Sequence, residues 1–152
     1  MLMDEIMDHG PILIQEPITI TDSEWPLSGP KLDILLAAKG GELLTTTIPN
    51  WLAGEITPKE QEHEDATYTK KFEKADSELQ LDPLHLPTGQ EALRTLLKIK
   101  AFSGIGDCFF IDNGRRIKIK TAGLSTDSSL KLIRVTPEGK SEMDFSQYLM
   151  TR

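Results

Sequence analysis

CFFIDNGRRIKIK, residues 108–120, decides the fold class of this 152-residue chain. Two runs rich in apolar and β-forming residues flank Asp112-Asn113-Gly114, the best hairpin signature in the sequence, because Asn-Gly supplies the tight turn that joins antiparallel strands. The second run alternates Arg116, Lys118 and Lys120 with Ile117 and Ile119. With a side-chain period of two, one face of that strand is basic and the other is apolar.

Working outward, SSLKLIRV (128–135) reads as a further strand and TPEGK (136–140) as a turn. Asp144 to Met150 reads as a short closing helix with Phe145, Tyr148 and Leu149 on one side. Upstream, Thr88 to Ile99 is the clearest helix: Thr88 can cap it, Glu91 completes a capping-box spacing, and Ala92, Leu93, Leu96 and Leu97 make an apolar face. ATYTKKF (66–72) has β-formers in alternation, and KADSELQLD (74–82) looks like a turn entering another short strand. Short strands, Gly-rich turns and one internal helix predict an α+β chain whose larger part is a small open β-barrel of the oligonucleotide-binding (OB) kind.

The N-terminal third is different. PILIQEPITI (11–20) alternates around two prolines, which suits an edge strand. From Ser28 or Pro30, the leucines at 32, 35, 36, 43 and 44 with Ile48 and Trp51 follow helical spacing. Gly40-Gly41 allows a break into two helices, and Gly54 suits the position just past the end. A strand and one or two helices are too little for an independent α/β domain. Residues 56–66 are polar and charged, as in a linker, so the expected organisation is 1–55, a linker at 56–66, and a second domain at 67–152.

Charge follows the same division. Residues 1–65 carry 13 Asp and Glu against 3 Lys and Arg, whereas residues 66–152 carry 11 against 14, within a total of −7. The C-terminal excess is weak support for a polyanionic partner, since most such residues merely solvate a surface. The single cysteine, Cys108, cannot form an internal disulfide, no secretory leader pattern opens the chain, and no apolar run could cross a bilayer; a reduced, cytoplasmic setting is expected.

Most catalytic signatures fail. His9, His63, His85 and Cys108 are too scattered for a metal site. There is no GxSxG elbow, and Gly104-Ile105-Gly106 lacks the third glycine and the following helix of a dinucleotide loop. Asp8, in the turn MDHGP, is either ordinary turn chemistry or a carboxylate that orients water or moves a proton.

Six stretches taken in order, MDHGPIL (7–13), LLTTTIPNWLAGEI (43–56), PKEQEHEDATYTKKFEKAD (58–76), IKAFSGIGDCFF (99–110), NGRRIKI (113–119) and TPEGKSEMDFSQYL (136–149), resemble methionyl-tRNA formyltransferase. The resemblance covers essentially the whole chain, and ATYTKKFEKAD is its most telling segment. It implies that residues 1–55 correspond to the last strand and helices of a Rossmann-like formyltransferase domain and residues 67–152 to the C-terminal barrel that helps hold tRNA. It further implies a formyl donor, 10-formyltetrahydrofolate, and an acceptor, initiator methionyl-tRNA, in translation initiation. Asp8 matches the family's catalytic Asp, whereas the Asn-x-His-Pro-Ser stretch that carries its Asn and His partners is absent and His9 is not that His. Where many members have Arg-Ala-Phe followed by Asn, Trp and Pro, this chain has Lys100-Ala101-Phe102 followed by Ser103, Ile105 and Gly106.

By itself the chain is therefore expected to bind no folate cofactor and to lack useful transferase activity. Lys70, Lys71, Lys74, Lys100, Arg115, Arg116, Lys118 and Lys120 are candidate phosphate contacts. The alternatives are a stand-alone RNA-binding module without chemistry, or an interaction remnant that dimerises or meets a missing catalytic half through its N-terminal segment.

Overall fold

The computed structural model describes residues 1–152. The chain forms an α-helix, α1 (Gly29–Leu52), then α2 (Gly89–Phe102), strands β1 (Phe109–Asp112), β2 (Arg115–Leu124), β3 (Leu130–Pro137) and β4 (Met143–Asp144), and a final helix α3 (Phe145–Thr151). Contacts divide it into two compact units, residues 1–23 with 33–71 and residues 24–32 with 72–152.

The second unit is built on the hairpin at Asn113-Gly114. Both turn residues have positive φ, 49° and 74°, the combination that a two-residue turn between right-twisted strands requires. Phe110 pairs with Ile117 and Phe109 with Lys118, which turns the isoleucines of β2 into the core and leaves Arg116, Lys118 and Lys120 on the other face. β3 and β4 continue the sheet in the order β1-β2-β3-β4, all antiparallel.

The expected barrel does not form; the sheet is open. Two segments that would have supplied closing strands do not pair. Residues 66–73 are exposed throughout, so their alternation has no face to bury, and residues 78–79 meet β1 only through one bridge, where the Leu79 amide donates to the Phe109 carbonyl at 2.8 Å.

α2 lays Ala92, Leu96, Ile99 and Phe102 on the sheet against Ile117, Ile119, Leu130, Leu132 and Val135, and α3 adds Phe145 and Tyr148. Each such fully buried aliphatic or aromatic side chain contributes about 1.5–3 kcal/mol. The central hairpin keeps its core face by an irregularity shared between its strands. Inward positions run 117, 119, 122 in β2 and 130, 132, 135 in β3, so both strands change face at the register shift around Thr121 and Arg134.

α1, which belongs to the first unit from Asp33 onward, is one helix, not two. Gly40 and Gly41 lie exposed within it; each lowers helix propensity by about 1 kcal/mol but nothing there forces a break. The helix ends where the Gly54 amide donates to the Trp51 carbonyl (3.0 Å) and the Glu55 amide to the Asn50 carbonyl (2.9 Å), closing the last turn. Of its side chains only Thr47 is buried, while Ile34, Leu44, Ile48 and Leu52 remain exposed. PILIQEPITI is not a strand: its one pairing is between Ile12 and Lys59, because Pro11 and Pro17 remove donors and no neighbouring strand is present.

Candidate functional site

Two sites emerge, one in each unit. In the first unit the turn carrying Asp8 is held from behind. Asp8 takes φ of 58°, a conformation Asp tolerates, and the Gln61 amide donates to the carbonyls of Asp8 (3.0 Å) and Gly10 (2.7 Å). Gly10 is buried, and a Cβ there would run into the carbonyl oxygen of Leu2. Close backbone approach is what the glycine of MDHGP supplies.

Asp8 itself is exposed and lines a cleft with His9, His63, Asp65 and Tyr68. His9 is occupied: its Nδ1 lies 2.8 Å from Asp4 Oδ2, and its ring stacks on His63 with centroids 3.4 Å apart and planes 4° from parallel. The bond to His9, then the Ile6 amide, holds the Asp4 carboxyl below the usual range. Asp8 can orient an amine or take up a proton. The cleft holds four carboxylates, Asp8, Glu60, Glu62 and Asp65, against one cation, Lys59, and the Gln61 amide is already engaged by backbone.

In the second unit the basic residues separate into groups. Lys74, Arg116 and Lys118 line one groove together with Phe72, Phe102 and Ile105. The Arg116 guanidinium sits 5.7 Å over the Phe109 ring. Lys120, on the same strand, is tied to Asp107 at 2.5 Å. Arg115 faces a separate hollow with Lys140 and Arg152, and Lys100 is half-buried in the last turn of α2, where a cation complements the helix dipole. Lys70 and Lys71 are exposed residues of the first unit.

Sequence reasoning missed Phe72, whose signal was an aromatic residue set among lysines in KKFEK. It also missed a buried network. Asp112, 8% exposed, accepts from the Tyr148 hydroxyl and from Arg152 Nη2 at 2.8 Å, fastening α3 to the hairpin. Burial first, and then the Asp112 carboxylate, push the Tyr148 hydroxyl above its ordinary range. Cys108 is wholly buried and its thiol is pushed up to about 11 by desolvation, which leaves it unreactive.

Comparison with known proteins adds the following. A methionyl-tRNA formyltransferase of Synechococcus sp. (strain JA-3-3Ab) is 39% identical over 119 residues, covering 78% of this chain and 33% of the relative. One from Hydrogenobaculum sp. (strain Y04AAS1) is 33% identical over 148 residues, covering 92% and 43%. One from Carboxydothermus hydrogenoformans is 24% identical over 172 aligned residues, covering 98% and 53%. No protein-family model matches the chain. The chain spans between a third and about half the length of these relatives.

Proposed function

We propose, on the premise that this chain is a partial-length relative of methionyl-tRNA formyltransferase, that it keeps the family's RNA-holding part and has no formyl-transfer activity alone. The observation that carries the reading is the 33% identity across 92% of the chain. Residues 1–55 stand for the end of the catalytic domain, with Asp8 in the place of the family's Asp. Residues 67–152 hold initiator methionyl-tRNA through Lys74, Arg116 and Lys118, supported by Lys70, Lys71, Lys100, Arg115 and Lys120.

The residues present do not fit 10-formyltetrahydrofolate. Asp8, Glu60, Glu62 and Asp65 outnumber the one cation, Lys59, and make their cleft anionic toward a carboxylate-bearing folate, and the Gln61 amide is held by the Asp8 and Gly10 carbonyls. The Asn-x-His-Pro-Ser stretch is not in the sequence. The exposed apolar positions of α1 favour a second reading for the first unit: they dock on a separately made catalytic half.

Binding of the purified chain to initiator tRNA at two salt concentrations, with an unrelated duplex RNA as control, tests the proposal. Preference for the tRNA with a steep fall of affinity in salt is expected, because each neutralised phosphate releases counterions. Absence of binding at low salt overturns it. In parallel, no formylation of methionyl-tRNA is expected from this chain; turnover would overturn the second half of the proposal.

A further inference from the structure

The groove that gathers Lys74, Arg116 and Lys118 has an aromatic floor that phosphate binding does not need. Phe72 is 61% exposed, so most of its ring is open to a partner. It is not loose: it packs at 62° to the Phe102 ring with centroids 5.2 Å apart, and Phe102 is itself a core residue at the end of α2. That contact braces one side of the ring and leaves much of the rest open to solvent. Ile105, 66% exposed, adds apolar surface to the same groove. Three cations and one carboxylate, Glu73, line it, so the groove is positive.

A braced, exposed aromatic ring beside cations is the arrangement that takes an unstacked base on the ring and its phosphates on the charges. A paired duplex, whose bases stay stacked inside the helix, could use the cations but not the ring. We infer that Phe72 is a stacking platform for an unpaired nucleotide, and that this groove therefore selects RNA with a single-stranded or bulged base over continuous duplex; the inference rests on the RNA-binding reading above.

The test compares two RNAs, a blunt duplex and the same duplex with one added, bulged 2-aminopurine, bound by the full chain and by three variants. Phe72→Ala should lose about tenfold affinity for the bulged RNA and little for the duplex, should abolish the fluorescence change of the 2-aminopurine, and should leave the salt dependence unaltered. Phe72→Tyr should restore both affinity and fluorescence. Lys74→Ala/Arg116→Ala/Lys118→Ala should weaken both RNAs and reduce the salt slope by about three. If Phe72→Ala binds both RNAs as the parent does while the triple variant loses both, the stacking platform is wrong and the RNA-binding reading stands. If the parent binds neither RNA, that reading fails and the platform with it. Capture by anionic phospholipid vesicles without RNA binding would assign the groove to a membrane surface and overturn the proposal.

Discussion

At the scale of single residues, the side chains that matter most are those whose neighbours leave them no alternative. Asp112 is the sharpest case: a carboxylate in the core of the hairpin, satisfied by Tyr148 and Arg152. Tyr148→Phe keeps the ring but withdraws one donor from a buried anion, and should cost about 1–3 kcal/mol in denaturant unfolding. An unchanged midpoint would show that water or Arg152 replaces the bond without loss. This network was not legible in the sequence, because Asp112 reads there as a turn residue and its partners lie 36 and 40 positions away. Gly10 was half legible: the turn was evident, the close approach of Leu2 was not, since it depends on a backbone path that no local pattern encodes. The basic alternation of β2 was fully legible, yet it did not disclose that Lys120 is held by Asp107 while Lys118 shares a groove with Phe72.

At the scale of elements, local signals translated well and non-local ones did not. The Asn-Gly hairpin, α2 after Thr88 and the closing helix after Asp144 are each specified by turn chemistry or helical spacing within a few residues, and each is found where expected. Strand formation in PILIQEPITI and ATYTKKF required a partner strand, and alternation alone cannot supply one. α1 shows the opposite error, in which a permitted break was not used. Because Gly40 and Gly41 have open space where a Cβ would go, Gly40→Ala and Gly41→Ala should each add up to about 1 kcal/mol of helix stability and raise the far-ultraviolet circular dichroism. A loss of helical signal on either substitution would mean that the chain does bend there.

At the scale of the whole molecule, the charge contrast between residues 1–65 and 66–152 foreshadowed a chemical difference between the two parts, and the sheet that would have been a barrel stayed open for want of paired strands. Global stability should carry an alkaline signature. Burial pushes the Cys108 thiol from its ordinary 9.0 up to about 11 in the fold, so the unfolded chain gives up that proton first as pH rises. The contribution is fully present below pH 9 and is lost between 9 and 11, by about 2–3 kcal/mol in all. The Tyr148 hydroxyl, also raised, adds to the decline above pH 10. Denaturant midpoints across this range should fall for the parent chain and fall less between pH 9 and 10 for Cys108→Ala; a flat profile in the parent would contradict the burial of both groups.

The lone cysteine has one more consequence. It sits at 0% exposure in the middle of the second unit's core, with its Sγ donating to the Lys98 carbonyl at 3.6 Å, and the sequence holds no other thiol. A colourless reagent such as Ellman's disulfide can therefore reach sulfur only when that core comes apart. The yellow it releases becomes a stopwatch for spontaneous opening, readable without labels and, with RNA added, able to time how much longer an occupied molecule stays shut.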